Sequence, residues 1–269
     1  MALDLEKLRK EQNRIFKEAV IEYNNELPTT LIHLTNSKDL NQFLQGTKFN
    51  ASSDVTARVL NSWIDKKLVH VEDEDAGKIK RFSRLENIWI RIITQARKFG
   101  LSLSSLENAR KELFLSPVEN FNLLKYGILL HIFDVPQILI MTEDGHIRML
   151  PADTYHKWLS ENKLPFHLTF NLSEFLGEEF PKNEFGTDLG LQNLFDNTNA
   201  LKLLFFLKTG EYDSIKVYVN EFDVREITKT EQLLKNVSLI EIINNWSLEK
   251  IEIYLVGGSN KIVIRDGND

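Results

Sequence analysis

Cysteine is absent from this chain of 269 residues, and that absence removes several kinds of site at once. Disulfides, thiolate metal sites and a cysteine nucleophile are all excluded. Because disulfides are common in oxidising compartments, a chain without cysteine fits a reducing one, and we expect a cytoplasmic protein.

Long apolar runs and linker-like stretches are also scarce. No run approaches the roughly 18 apolar residues of a membrane-spanning helix, and the N-terminal MALDLEKLRKEQNRIF lacks the apolar segment of a signal peptide. With 12 Gly, 6 Pro, 42% hydrophobic and 27% charged residues, the composition is that of an ordinary globular protein. We therefore expect little disorder and no membrane contact.

Arrangements typical of enzymes and metalloproteins are missing as well. The six histidines contain no pair at the spacing of a metal site. The glycines at 257 and 258 fit a hairpin turn rather than a phosphate loop, and the carboxylates at 72–75 and 177–179 have no partnered acid or base. We expect a protein that is not an enzyme and has no catalytic residue, cofactor or metal.

Charge is strongly uneven along the chain. The net charge of −6 divides into −1 for residues 1–55, +5 for residues 56–111 and −10 for residues 112–269. Since cations attract phosphate and carboxylates repel it, the middle part is the candidate nucleic-acid surface, and an ordinary solvated face is the alternative. Its most basic stretch, GKIKRFSRLENIWI (77–90), contains Lys78, Lys80, Arg81 and Arg84.

The residues before this stretch predict a helix and the first strand of a hairpin. Residues 53–69 favour a helix capped by Ser53 or Asp54, and residues 69–71 and 78–82 favour short strands around the acidic loop EDEDAG. The helix positions expected to face inward are Val55, Val59, Leu60, Trp63 and Leu68.

Two further helices are expected after the hairpin. Ser83 and Glu86 have the spacing of a capping box, and Gly100 ends the helix that they open. Ser102 caps a last helix, which ends before Pro117. This order of elements is a winged-helix plan. The inward positions of the first of these helices are Leu85, Ile88, Trp89, Ile92, Ile93, Ala96 and Phe99.

Three segments of this region together resemble the DNA-binding domain of the MerR family of bacterial transcription regulators: DVTARVLNSWIDKKLV, GKIKRFS and RKFGLSLSSLENARKEL. In that family a recognition helix leads through a wing into a further helix. The resemblance covers residues 54–113, about a fifth of the chain. It implies a winged helix-turn-helix that binds double-stranded DNA as a dimer.

The resemblance also implies roles for individual residues. The recognition helix directs its exposed side to the major groove, and the wing lies near phosphates. The family's Arg-Tyr-Tyr is Asn61-Ser62-Trp63 here, so its base preference is not carried over, and Pro117 interrupts the long helix through which the family dimerises. The implied DNA-binding residues are Thr56, Arg58, Asn61, Ser62, Lys66, Lys67, Lys78, Lys80 and Arg81.

Outside this region the pattern predicts helices and short strands. Apolar spacing favours a helix over residues 3–24, which packs on its own domain or pairs with a second copy, and a short helix from Asn36 or Ser37 to Leu44. After Pro117, strands are expected from residues 123–133, 137–141 and 146–150, with a turn at 142–145. Helices at 151–162 and 172–180 flank an extended PFHLTFN.

The last part of the chain contains a repeat. TGEYDSIKVYV (209–219) aligns with NWSLEKIEIYL (245–255) at an offset of 36 residues. Each copy follows an apolar helix and precedes a second strand, VREI or KIVIR. Two such units are expected to form one four-stranded sheet covered by two helices.

These patterns together predict an α+β protein, in which a MerR-like winged helix-turn-helix precedes small α+β domains with a duplicated helix-hairpin unit. The expected parts are an N-terminal helical segment (1–45), the DNA-binding domain (46–116), a small α+β domain (117–190) and the duplicated domain (191–269).

The leading hypothesis for function is a sequence-specific DNA-binding protein, a bacterial transcription regulator that acts as a homodimer or higher homo-oligomer. The acidic C-terminal half would then serve assembly, sensing or a protein partner. Two alternatives stay open: an excisionase-like accessory factor of a mobile element, and a protein-interaction scaffold that uses the winged helix.

Overall fold

The computed structural model describes residues 5–24, 29–46, 49–50, 55–71, 80–115, 122–192, 196–257 and 260–265. These residues form an α+β protein with antiparallel sheets. Its helices are α1 (Leu5–Asn24), α2 (Thr29–Thr35), α3 (Lys38–Gly46), α4 (Ala57–Asp65), α5 (Arg84–Lys98), α6 (Leu103–Phe114), α7 (Leu123–Ile132), α8 (Ala152–Ser160), α9 (Leu172–Glu179), α10 (Thr198–Thr209), α11 (Thr230–Leu234) and α12 (Val237–Asn244). Its strands are β1 (Phe49–Asn50), β2 (Arg81–Phe82), β3 (Gln137–Thr142), β4 (Ile147–Pro151), β5 (His167–Phe170), β6 (Tyr212–Tyr218), β7 (Val224–Ile227), β8 (Lys250–Leu255) and β9 (Lys261–Arg265).

The N-terminal helix α1 packs against the middle sheet of its own chain. Phe16 contacts Trp158 of α8 edge to face at 6.2 Å between ring centroids, and Ala19 and Val20 complete the buried stripe. The expected short helix is α3, where the Ser37 hydroxyl accepts a hydrogen bond from the Leu40 N–H. This part of the apolar stripe of α1 serves intramolecular packing, whereas Leu8 and Ile21 are exposed.

The expected hairpin of residues 69–71 and 78–82 is wrong for its first strand. Residues 69–71 lie outside any strand, and Arg81–Phe82 pairs antiparallel with Phe49–Asn50. The loop EDEDAG and Lys78 lie outside the described residues, as do Ser53 and Asp54, the expected caps of the preceding helix. That helix, α4, begins at Ala57 with Thr56 as its N-cap.

Helix α5 is predicted from the sequence and is buried over most of its length. The Ser83 hydroxyl accepts the Glu86 N–H at 3.2 Å, which is half of a capping box. The second half does not form, because the Glu86 carboxylate accepts from Arg110 of α6 and from the His70 N–H. Phe99 was expected to face inward, but it follows the helix end and is 68% exposed.

The run at 123–133 was predicted as a strand and is a helix. Asn122 caps α7 by accepting the Lys125 N–H, and nearly all of α7 is buried. A helix that is covered on every side has no polar face, so its sequence lacks the period of 3.6 residues. Strands β3 and β4 form the expected hairpin through residues 142–145, and β5 pairs with the other edge of β3.

The C-terminal sheet has four antiparallel strands in the order β7-β6-β8-β9. In its centre, Ile215 lies opposite Ile253, and Val217 lies opposite Ile251. Their side chains are buried together with those of α10, α11 and α12 in one apolar cluster, which runs from Leu31 to Ile264. The division of the chain at 45, 116 and 190 stays a prediction, and the buried cluster contains residues from all four expected parts.

Candidate nucleic-acid interface

Helix α4 has one side fixed in the core and one side open to solvent. Leu60 and Trp63 are buried, while Arg58, Asn61 and Ser62 are exposed. Because residues three and four apart lie on one face of a helix, the three exposed side chains share a face. The sequence therefore placed Arg58, Asn61 and Ser62 on the exposed side of this helix correctly.

The N-terminus of α4 is held by Thr56, whose hydroxyl accepts a hydrogen bond from the Val59 N–H at 3.4 Å. This hydrogen bond fixes the start of α4. The other backbone amides of its first turn have no acceptor within the helix and point out of its N-terminal end. Val59 was expected to face inward, but it is 41% exposed and places an apolar side chain on the open side of α4.

Two lysines project from the C-terminal end of α4. The Lys67 N–H donates to the Ile64 carbonyl and the Leu68 N–H to the Trp63 carbonyl, both at 2.8 Å. This pattern is a Schellman motif, in which the residue after the cap takes the left-handed conformation that glycine favours. Lys67 occupies that position with φ +57°. Both Lys66 and Lys67 are exposed.

The basic residues before α5 lie next to α4. The Lys80 ammonium donates to Asn61 Oδ1 at 2.7 Å, so the cation before β2 reaches the exposed face of the helix. Arg81, on β2, is exposed, whereas its neighbour Phe82 is buried. Of the nine residues predicted to bind DNA, eight are described and belong to these two adjoining segments, and Lys78 is outside the described residues.

Buried hydrogen bonds fix α4 against α5. The indole N–H of Trp89 donates to the Leu68 carbonyl at 2.7 Å, and the Glu86 carboxylate accepts the His70 N–H at 3.1 Å. The same carboxylate holds Arg110 through two hydrogen bonds of 2.6 and 3.1 Å. The turn after α4 is thus attached to α5, whose Glu86 is in turn held by Arg110 of α6, and the exposed face has a defined orientation.

Comparison of the chain with protein-family models, curated proteins and solved structures finds no match.

The exposed face of α4 also includes an acidic residue that the sequence-based prediction of the DNA-binding surface left out. Asp65 is exposed and lies four residues after Asn61 and three after Ser62, so it shares their face. A carboxylate here repels phosphate and accepts hydrogen bonds only, for example from the cytosine amino group. Helical spacing alone was sufficient to find it.

Arg84, the first residue of α5, points away from the open surface. Its guanidinium donates to Glu211 at 2.7 Å and to the Glu179 carbonyl, and it lies 4.9 and 4.8 Å from the ring centroids of Phe43 and Phe180. Burial lowers the pKa of Arg84 and raises the pKa of the Glu179 carboxyl. Among Lys78, Lys80, Arg81 and Arg84, the four cations of the basic stretch, Arg84 is used for packing inside the protein.

Metal-binding groups and membrane-spanning helices are both missing from the described part of the chain. Within it, the acidic and histidine side chains form no group of three or more that could hold a metal ion. None of the helices described there is both long and apolar enough to cross a membrane.

Proposed function

We propose that this protein binds double-stranded DNA in a sequence-specific way, as a MerR-like bacterial transcription regulator in the cytoplasm. The observation that carries the proposal is the contact between Lys80 and Asn61, which joins the basic segment to the exposed face of α4. A helix face with polar side chains, bordered by exposed cations, matches what the major groove and its flanking phosphates require.

The residues of this surface divide into two roles. Asn61 and Ser62 are the candidates for contacts to base edges, since an asparagine amide pairs with the two exposed groups of adenine in the major groove. Oδ1 accepts one hydrogen bond from Lys80 and keeps a second lone pair for the adenine amino group, while the amide N–H donates to N7. The cations Arg58, Lys66, Lys67, Lys80 and Arg81 are the candidates for phosphate contacts, which supply most of the affinity.

The C-terminal half takes part as an assembly unit in this proposal. The two hairpins β6-β7 and β8-β9 join through β6 and β8, and this arrangement supports the duplicated helix-hairpin unit inferred from the repeat. A homodimer on a two-fold DNA site is proposed because the sequence resembles a dimeric family. A protein partner for the acidic half is proposed because its net charge of −10 makes it, taken as a whole, a poor surface for duplex DNA.

The test is selection of bound fragments from a random DNA pool by the purified protein, followed by the salt dependence of binding to the selected sequence. We expect an inverted repeat. Lys66→Gln should weaken binding on all sequences and lower the slope of log K against log salt by about 0.9. Asn61→Ala should relax the preference at one base position in each half-site.

Lys98→Gln is the matched control, since Lys98 is an exposed cation at the far end of α5. It should leave affinity and slope unchanged. Failure to select any sequence, with no duplex binding at low salt, would reject DNA binding and favour the protein-interaction scaffold. Selection of sites that lie in recombination attachment arms rather than promoters would favour the excisionase-like accessory factor.

A further inference from the structure

The C-terminal sheet has a second face, which is directed away from the core. Strand residues alternate between faces, and Ile215, Val217, Ile251 and Ile253 occupy the buried one. We call the opposite side the outer face. Its residues, from the strand register, are Ser214, Lys216, Tyr218, Val224, Glu226, Lys250, Glu252, Tyr254, Lys261, Val263 and Arg265.

A single carboxylate organises the centre of the outer face. Glu252 accepts hydrogen bonds from the Tyr254 hydroxyl at 2.8 Å and the Tyr218 hydroxyl at 3.1 Å, and from Lys250 at 3.0 Å and Lys261 at 3.3 Å. The hydrogen bonds from Tyr254 and Lys250 come first in lowering the pKa of Glu252 to about 2. The two tyrosines thus lean toward one point and are held there.

Cations surround both tyrosine rings. The Lys250 ammonium lies 4.0 Å from the ring centroid of Tyr218, and the Lys216 ammonium lies 5.3 Å from that of Tyr254. Together with Lys261 and Arg265, the outer face has four cations and two carboxylates, Glu226 and Glu252, in a half of the chain with a net charge of −10. A positive face on an acidic background is complementary to a polyanion.

An exposed phenylalanine adjoins this face. Phe222 lies in the turn between β6 and β7, two residues before Val224 of the outer face, and its side chain is 90% exposed. The turn itself is held by the Asn220 side chain, which accepts the N–H groups of Phe222 and Asp223 at 2.9 Å. The ring therefore adds nothing to the core, and an aromatic side chain held open to water next to the outer face is suited to stacking.

We infer that the outer face binds single-stranded nucleic acid, and that it does so separately from the duplex surface on α4. Tyrosine rings fixed on an open antiparallel sheet provide stacking platforms for unpaired bases, and the flanking lysines and arginine contact the phosphates. A duplex keeps its bases stacked inside and offers no free base face to these rings. The two tyrosines are equivalent positions of the 36-residue repeat, so the platform has a pair of matching base sites.

The probe is a fluorescein-labelled oligothymidylate of about 20 nucleotides, with oligouridylate of the same length, added to the full chain while fluorescence anisotropy is followed over a range of salt. We expect binding at low salt that weakens as salt rises. Lys261→Gln with Arg265→Gln should reduce the salt slope by about 1.4, because each phosphate contact to a single strand contributes about 0.7.

Phe222→Ala separates stacking from charge, since it leaves every cation in place and removes an exposed side chain that the fold does not need. It should weaken oligonucleotide binding by at least about fivefold. Lys157→Gln with Lys235→Gln is the matched control, because both lysines are exposed and lie outside the outer face. Thermal unfolding of all variants identifies any loss that comes from misfolding.

Three outcomes would overturn the inference. The first is that neither oligonucleotide binds at low salt, and the second is that the control pair loses as much salt slope as Lys261→Gln with Arg265→Gln. The third is that polyglutamate competes as strongly as unlabelled oligonucleotide while Phe222→Ala leaves the affinity unchanged. The last would indicate a surface for acidic protein. Because the Lys66→Gln variant should keep its single-strand affinity, failure of this inference and failure of duplex binding on α4 are distinguishable.

Discussion

Replacement of Lys67 by glycine should stabilise the fold and weaken DNA binding at the same time. Lys67 has φ +57° at the end of α4, a conformation that costs a residue with a Cβ about 1–2 kcal/mol. Glycine avoids that cost but loses about 0.4–1 kcal/mol through the greater freedom of the unfolded chain. The net expectation is a gain of about 0.5–1 kcal/mol in the free energy of unfolding.

The same change removes one exposed cation from the proposed phosphate contacts. The slope of log K against log salt for duplex DNA should fall by about 0.9. Urea unfolding followed by tryptophan fluorescence gives the stability, and anisotropy of a labelled duplex gives the slope. Lys66→Gln is the partner variant, because it removes a cation one residue earlier without changing the backbone, and should alter the slope alone.

A loss of stability in Lys67→Gly would refute the conformational argument, because it would show that the lysine side chain contributes more than its backbone costs. If the slope of log K against log salt is unchanged in both variants while stability changes as expected, the end of α4 does not contact DNA. Opposite signs for stability and binding are the result that a general folding defect cannot produce.

Three further predictions concern the framework. Gly145→Ala should lower the free energy of unfolding in urea by at least about 2 kcal/mol more than Gly100→Ala does. Both glycines have φ near +85°, but a Cβ at 145 would lie 1.9 Å from a backbone oxygen of α6, whereas a Cβ at 100 meets open space. Equal losses in the two variants would contradict this argument from packing. Glu252→Gln should be less stable than the wild-type chain at pH 7, and the difference should shrink as the pH falls from 4.5 to about 2. The reason is that a carboxyl with a lowered pKa stabilises the fold only while it is ionised. A difference in melting temperature between the two proteins that does not shrink in acid would disprove the prediction. Arg84→Met should cost about 3–5 kcal/mol in urea unfolding by leaving Glu211 without its buried partner, and a cost below about 1 kcal/mol would show that the pair is dispensable.

Sequence patterns were sufficient where a local signal specifies the element. The spacing of Ser83 and Glu86 located the start of α5, and Ser102 located the start of α6, because the cap and the amide it accepts are three residues apart. The two strands of each C-terminal hairpin were found from alternating apolar residues. The exposure of Arg58, Asn61 and Ser62 on α4 agrees with what the family resemblance implies, whereas Val59, predicted to face inward, is exposed.

The remaining features depend on contacts between distant residues. The strand Arg81–Phe82 is two residues long, and nothing in so short a segment indicates Phe49–Asn50 as its partner. The buried helix α7 resembled a strand because its apolar residues are continuous. The second half of the capping box was lost because Arg110, 24 residues away, competes for the Glu86 carboxylate. Each of these outcomes was decided by tertiary packing.

The burial of α5 has a consequence for how the protein can be divided. Within the first two turns of this helix, Trp89 holds the turn after α4, while Arg84 lies against the rings of Phe43 and Phe180 and pairs with Glu211. A fragment that stops near residue 116 would lack α9 and Glu211, and would expose the side of α5 that packs against them. The exposed face of α4 and the acidic half therefore share one support, and a fragment that is to keep the proposed DNA surface folded has to retain both.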